Sequence, residues 1–202
     1  MFDINYGIHN NDEFQIEFPV QCADFTNAGE NWGVGDLLIG YKYRYRDEKE
    51  CGYMAGVYPQ LTIPTGDASL NLGSGSTQLY LPWLVGKHFC EERYFLYAEL
   101  GYNIVFNNND AGSCKFGVAG VWQVNEKLEI EGEVVNIDFA HNFAPDDTFF
   151  NVGVVYHFNK NVAFVGSAGR SFLSRETGVV DLMALAGLQF TWGAKEEPEP
   201  NE

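Results

Sequence analysis

The chain has 202 residues, 46% of them hydrophobic and 15% aromatic, with a formal net charge of −16 and a mean hydropathy of −0.20. That length suits one domain, the aromatic content excludes a disordered chain, and the acidic balance excludes nucleic acid, whose phosphates call for concentrated Lys and Arg. No apolar run reaches the roughly 18 residues of a transmembrane helix, but a membrane β-barrel, whose strands alternate, stays open.

In chain order, apolar/polar alternation predicts eleven strands and almost no helix: 2–9, 13–24, 32–46, 52–64, 76–90, 93–106, 113–124, 127–139, 148–158, 161–172 and 179–192. Most exceed the five or six residues usual in globular sheets and reach the 9–11 that a tilted bilayer-spanning strand needs. Short connections, at 10–12, 47–51, 91–92, 125–126 and 159–160, alternate strictly with longer ones at 25–31, 65–75, 107–112, 140–147 and 171–178. Short turns at one end and longer loops at the other are the pattern of an up-and-down outer-membrane barrel. A β-sandwich crosses between sheets and does not alternate in this way.

The strands have two unlike faces. In "EFQIEFPV", Phe14, Ile16, Phe18 and Val20 oppose Glu13, Gln15 and Glu17. In "DLLIGYKYRYR", Leu37, Ile39, Tyr41, Tyr43 and Tyr45 oppose Asp36, Lys42, Arg44 and Arg46. Leu79, Leu81, Trp83 and Val85 oppose Gln78, Tyr80 and Pro82; Tyr94, Leu96, Ala98, Leu100, Tyr102 and Ile104 oppose Arg93 and Glu99. Phe116, Val118, Trp122 and Val124 oppose Lys115 and Gln123. In "KLEIEGEVV", Glu129, Glu131 and Glu133 form a column of carboxylates against Leu128, Ile130 and Val134. Successive side chains of a strand point to opposite sides. In a soluble sheet the glutamates would face water and the apolar rows one shared core. That core would be unusually wide and greasy for so many strands, so the apolar rows are expected to face lipid.

The wet interior is then expected to be lined by Glu17, Asp36, Lys42, Arg44, Gln78, Glu99, Lys115, Gln123, Glu129, Glu131, Glu133, Asn151, His157, Arg170 and Asp181. These groups either cross-link the barrel shut as ion pairs or line a path for a small-molecule solute.

Eleven strands break the even count of single-chain bacterial barrels, and no signal peptide precedes "MFDINYGIH". Both observations predict a truncated or mis-started N-terminus and a twelve-stranded barrel in the full-length protein. The barrel is expected over 1–193, with the Pro- and Glu-rich tail at 194–202 disordered.

Other constellations are thin. Cys22, Cys51, Cys90 and Cys114 have no metal-like spacing, but Cys51 and Cys90 should lie opposite each other at the short-turn rim, where a disulfide is plausible in an oxidising compartment. His9, His88, His141 and His157 are scattered, so neither a metal nor a cofactor is expected. The Gly-rich "NLGSGST" at 71–77 lacks the lysine and helix of a phosphate loop and reads as a flexible loop. No Gly-x-Ser-x-Gly elbow supports an enzyme. An outer-membrane hydrolase and a structural or adhesive barrel remain as alternatives to passive transport.

Two resemblances add to this. The closing "LMALAGLQFTW" resembles the C-terminal assembly signal of outer-membrane barrels in Gly187, Phe190 and Trp192, which implies insertion by the barrel-assembly machinery. The segments "GVGDLLIGYKYRY", "PQLTIPTGD", "LGSGSTQLYLPWLVGKHF", "YAELGYNI", "VAGVWQVNEKLEIEGEV" and "FNVGVVYHFNKNVAFVGSAGRSF" occur in that order. Together they resemble the family of outer-membrane transporters associated with the phenol meta-cleavage degradation pathway. That resemblance implies a barrel in the lipid bilayer of the outer membrane and passage of small molecules, with aromatic or hydrophobic ones as the expected class; no catalytic set comes with it.

Overall fold

A computed structural model describes residues 2–25, 29–70, 72–106, 112–138, 147–171 and 182–192. Fourteen strand segments build the molecule: β1 (Phe2–His9), β2 (Asp12–Phe18), β3 (Val20–Phe25), β4 (Gly29–Val34), β5 (Leu37–Arg46), β6 (Met54–Val57), β7 (Gln60–Ile63), β8 (Gln78–Phe89), β9 (Tyr94–Val105), β10 (Ser113–Asn125), β11 (Leu128–Asp138), β12 (Asp147–Asn159), β13 (Val162–Ser171) and β14 (Leu182–Phe190). Twelve of them form one antiparallel sheet in the order β1-β2-β5-β6-β8-β9-β10-β11-β12-β13-β14, with β7 between β5 and β8, and β3 pairs with β4.

Prolines explain why fourteen segments make eleven staves. Pro19 separates β2 from β3, and Gly35 N donates to its carbonyl at 2.8 Å, so β2–β3 and β4–β5 form one long hairpin. Glu17 pairs with Leu38 but Val20 pairs with Val34, so Gly35 and Asp36 together oppose Pro19 in a β-bulge. Tyr58 and Pro59 separate β6 from β7, yet both segments pair with β5 and β8. That break lies opposite Pro82, a fully buried proline inside β8. The N–H that Pro82 lacks is therefore missing where the neighbouring ladder is already interrupted. All eleven sequence-predicted strands correspond to staves.

The burial pattern is inverted relative to a water-soluble sheet. Along β10, Ser113, Gly117 and Ala119 on the polar side are buried, while Cys114, Phe116, Val118 and Trp122 on the other side are exposed. Trp83 is 55% exposed, Leu96 51%, Leu100 56% and Phe116 52%, whereas the buried hydrophobic residues are only Ala55, Leu72, Ala119 and Ala163 among those described. A band of apolar surface on this scale is unstable in water and matches a lipid-facing wall. At the short-turn end the apolar face carries Tyr43, Tyr45, Phe89, Tyr94, Trp122, Tyr156 and Phe158, an interfacial aromatic girdle. Tyr94 and Trp122 stack there with centroids 6.5 Å apart. No helix of the described residues is long and apolar enough to cross a membrane.

The expected turn at 47–51 contains a one-turn helix, α1 (Glu48–Cys51), capped by the Asp47 side chain on Lys49 N and ended by Gly52 at φ 75°. Cys51, Cys90 and Cys114 are free thiols, so the Cys51–Cys90 disulfide is not present. The reason is local: Cys51 belongs to α1, near the Arg46 guanidinium at 3.9 Å, and Cys90 starts a turn in which Cys90, Glu91 and Glu92 all have positive φ. Among the described residues β1 pairs only with β2 and β14 only with β13, and across eleven alternating staves these two end strands run in the same direction. The predicted tail at 194–202 lies outside the described residues.

Candidate functional site: the polar face of the sheet

Every second residue of the central staves contributes to one polar face, and tyrosines tie it together. Tyr80 on β8 leans across Gly101 on β9 and donates to Glu99 Oε1 at 2.5 Å. Lys115 Nζ on β10 meets the same carboxylate oxygen at 3.1 Å and sits 5.2 Å from the Tyr80 ring centroid. Tyr97, in register with the buried Ala119, reaches over β10 and donates to Glu131 on β11. Tyr58, in the β6–β7 break, lies over Gly40 with Lys42 Nζ 4.8 Å from its centroid, and Lys42 pairs with Glu13 at 3.4 Å. Small residues on one stave thus admit an aromatic ring from another, which braces neighbours that the ladder alone joins.

The brace has a measurable consequence. A Cβ on Gly101 would fall 2.5 Å from Tyr80 Cε2. Gly101→Val is expected to destabilise the folded barrel by about 1–3 kcal/mol through overpacking. Urea unfolding in detergent or lipid checks this. The same change made in a Tyr80→Ala background should cost less, a non-additivity expected of touching residues.

Several expected interior residues lie together on this face. Gln78 accepts from Asn103 Nδ2 at 2.8 Å, Glu133 accepts from Asn151 Nδ2 at 3.0 Å, and His157 Nε2 meets Glu129 Oε1 at 3.1 Å. Glu17, Glu99, Lys42, Lys115, Glu131 and Gln123 share the same alternation. Arg44 is drawn to the short-turn rim, where its guanidinium donates to Asn10 O at 2.9 Å and lies 3.4 Å from Asp47. Asp36 is engaged by backbone and hydroxyl donors of the β7–β8 loop. Asp181 lies outside the described residues.

Arg170 is a correction. It pairs with Phe150 and Leu182 and is exposed on the apolar face, not on the polar one. Along 161–172 both rows consist of small or apolar residues, so alternation carries no signal there. Near the loop-side end of β13, a long guanidinium stem can extend toward the interface.

Sequence reasoning placed Gln15 on the polar row but missed Tyr58, Tyr97 and Asp3 there. Gln15 Nε2 donates to Asp3 at 2.9 Å. Parity with Glu99 could have found Tyr97, while Asp3 faces this way through its pairing with Glu17. A cavity of about 260 Å³ lies against Glu131, Glu133, Asn151 and Ser167. Across the face, carboxylates outnumber lysines.

At the short-turn end, Glu48 of α1 accepts from His88 N at 2.9 Å and meets His88 Nδ1 at 2.7 Å. The His88 ring and then its backbone N–H hold the Glu48 carboxyl below its ordinary 4.5. A carboxyl depressed in the folded state contributes stability above its unfolded pKa and loses it as pH falls through the folded value. Acidification below about 4.5 should therefore loosen this turn in the wild type and have less effect in Glu48→Gln, as read by thermal unfolding in detergent across that range.

With this geometry in hand, comparison with known proteins is decisive at the level of family and fold. A family model described as "Putative MetA-pathway of phenol degradation" matches residues 12–192. The chain belongs to that family. It is also similar in structure to an outer-membrane channel from Pseudomonas putida F1, with a TM-score of 0.68 and 18% identity over 91% of this chain and 76% of that one. A porin refined at 1.8 Å gives a TM-score of 0.45 and 13% identity over 93% of this chain and 60% of that one. Among curated proteins no match was found. The fold of this family member is an antiparallel membrane-type β-barrel wall, as its alternation predicted.

Proposed function

We propose that this protein is an outer-membrane channel through which small solutes pass passively, its polar face lining the lumen. The observation that carries the reading is the inversion of polarity: Trp83, Leu96, Leu100 and Phe116 are exposed while Glu99, Glu131 and Lys115 sit on the more sheltered side. A wall of that kind is stable between lipid and enclosed water. The likeness to a channel of known structure, at the level of fold, supports the same reading. The family description favours aromatic molecules as a solute class. The surplus of carboxylates on the polar face favours neutral and cationic solutes over anionic ones.

Insertion would use the barrel-assembly machinery. Leu188, Phe190 and Trp192 share one side of the last stave, with Phe190 59% and Trp192 70% exposed, and Thr191 N still donates to Asn161 O at 2.9 Å. Planar-bilayer recording tests the proposal. Discrete unitary currents from refolded protein are expected, and a correctly folded protein that gives none would leave a structural or adhesive wall as the better reading.

A further inference from the structure

We propose that the β7–β8 loop is a fixed strap that narrows the loop-side mouth of the passage, and that Asp36 is the residue that fixes it there. The inference rests on reading the polar face as a lumen. It starts from the β-bulge at Gly35–Asp36. Val34 is exposed on the apolar side and Leu37 begins the apolar row of β5, so the extra residue turns both bulge positions away from lipid.

From there one carboxylate holds both ends of the loop. Asp36 Oδ1 accepts from Gly66 N at 3.0 Å, and Oδ2 accepts from Ser74 N and Ser74 Oγ, each at 2.7 Å. Thr65 Oγ1 adds a stitch, accepting from Leu37 N at 2.9 Å and donating to Gly35 O at 3.0 Å. Within the loop, Asp67 accepts from Ser69 N and Ser69 Oγ, and its carbonyl accepts from Leu70 N and Leu72 N, around the 3₁₀ turn Ala68–Leu70. The segment expected to be a flexible Gly-rich loop is therefore anchored at several points.

The packing says which way the strap faces. Leu72 is 3% exposed and rests on Gly33, where a Cβ would lie 2.6 Å from Leu72 Cδ1. Leu72, Gly73 and Ser74 bound a cavity of about 340 Å³ whose other walls are Glu17, Pro19, Asp36, Leu38 and Thr62. Glu17, Leu38 and Thr62 are cross-strand neighbours on the polar face. A loop projecting away from the wall would leave Leu72 in solvent and could not share a cavity with them. The close approach also demands glycine, since a side chain on Gly73 would run into the Asp36 carboxylate and the Gly66 backbone.

Two variants remove the strap by different means: Asp36→Ala cuts the anchor, and Gly33→Val takes the space of Leu72. Each is refolded in detergent, checked for the heat-modifiable mobility of a folded barrel, and compared with wild type in planar bilayers and in liposome swelling with sugars of graded size. Higher unitary conductance and entry of larger sugars are expected in both. Unchanged conductance and size limit in both folded variants overturn the proposal. Hydrogen exchange separates the strap from the passage. Slow exchange at the Gly66 and Ser74 amides that is lost in Asp36→Ala supports the anchor, and fast exchange at both in the wild type overturns it. No current from wild type or either variant overturns the channel reading, and the narrowing with it, even where exchange still reports the anchor.

Discussion

Leu100→Arg should destabilise the protein by about 2–4 kcal/mol when it is folded into lipid vesicles, the cost of a cation on the lipid side near the bilayer midplane. Leu100 lies midway along β9, is 56% exposed, and faces the same side as Phe116 and Trp83, its partners across the ladder. The guanidinium there is too far from either rim to leave the hydrocarbon easily. The control is Asn151→Lys on the polar face. Asn151 already donates to Glu133, so a lysine finds a carboxylate within reach and should shift stability by no more than about 0.5 kcal/mol. Urea unfolding of vesicle-folded protein reads both. The contrast discriminates sharply, because on a water-facing sheet an exposed leucine accepts arginine at almost no cost. Equal, small effects at the two positions would place both faces in water.

Potassium should carry most of the current when a KCl gradient is applied across a bilayer holding this channel, and Glu129→Gln, Glu131→Gln and Glu133→Gln together should remove most of that preference. The three carboxylates occupy alternate positions of β11, about 7 Å apart along the strand. That spacing is within the Debye length of about 10 Å at 0.1 M salt, so their fields add. Tyr97 donates to Glu131 and Asn151 donates to Glu133. Both donors are neutral, so they satisfy lone pairs without cancelling charge. Lys42 and Lys115 are each engaged by a glutamate and set over a tyrosine ring, whereas among the described residues Glu131 and Glu133 of β11 have no ion pair and Glu129 meets only the His157 ring. The reversal potential measures the effect. A wild-type potential near zero, or one that the triple variant leaves in place, would assign selectivity elsewhere.

The wall itself was legible in the sequence wherever two unlike rows alternate. β5, β8, β9, β10 and β11 each set an aromatic or aliphatic row against charges or amides, and each has the predicted face outward. Legibility failed where that contrast vanished or where covalent geometry intervened. β13 is small and apolar on both sides, so Arg170 was assigned to the wrong face. Pro19 and Pro59 interrupt long staves without ending them, an outcome decided by which neighbouring backbone groups remain available. The Tyr58, Tyr80 and Tyr97 crossings depend on which residue of the next stave is small, and that requires the register. Asp36 was recognised as a polar residue of this face, but its role as the anchor of a loop about thirty residues on is a tertiary fact with no local signature. The one-turn helix α1 that takes up Cys51 was unreadable in the same way, and Cys51 and Cys90 are free thiols.

The common direction of β1 and β14 limits what can pair with both edges. Among the described residues each outer edge carries amide and carbonyl groups that no strand pairs, and in hydrocarbon every such group costs several kcal/mol, so these edges favour added backbone. A filler that zips antiparallel onto both edges must contain an odd number of strands. Two upright copies in one membrane could meet only through parallel pairing, since apposing the β1 edge of one to the β14 edge of the next sets strands of one direction side by side.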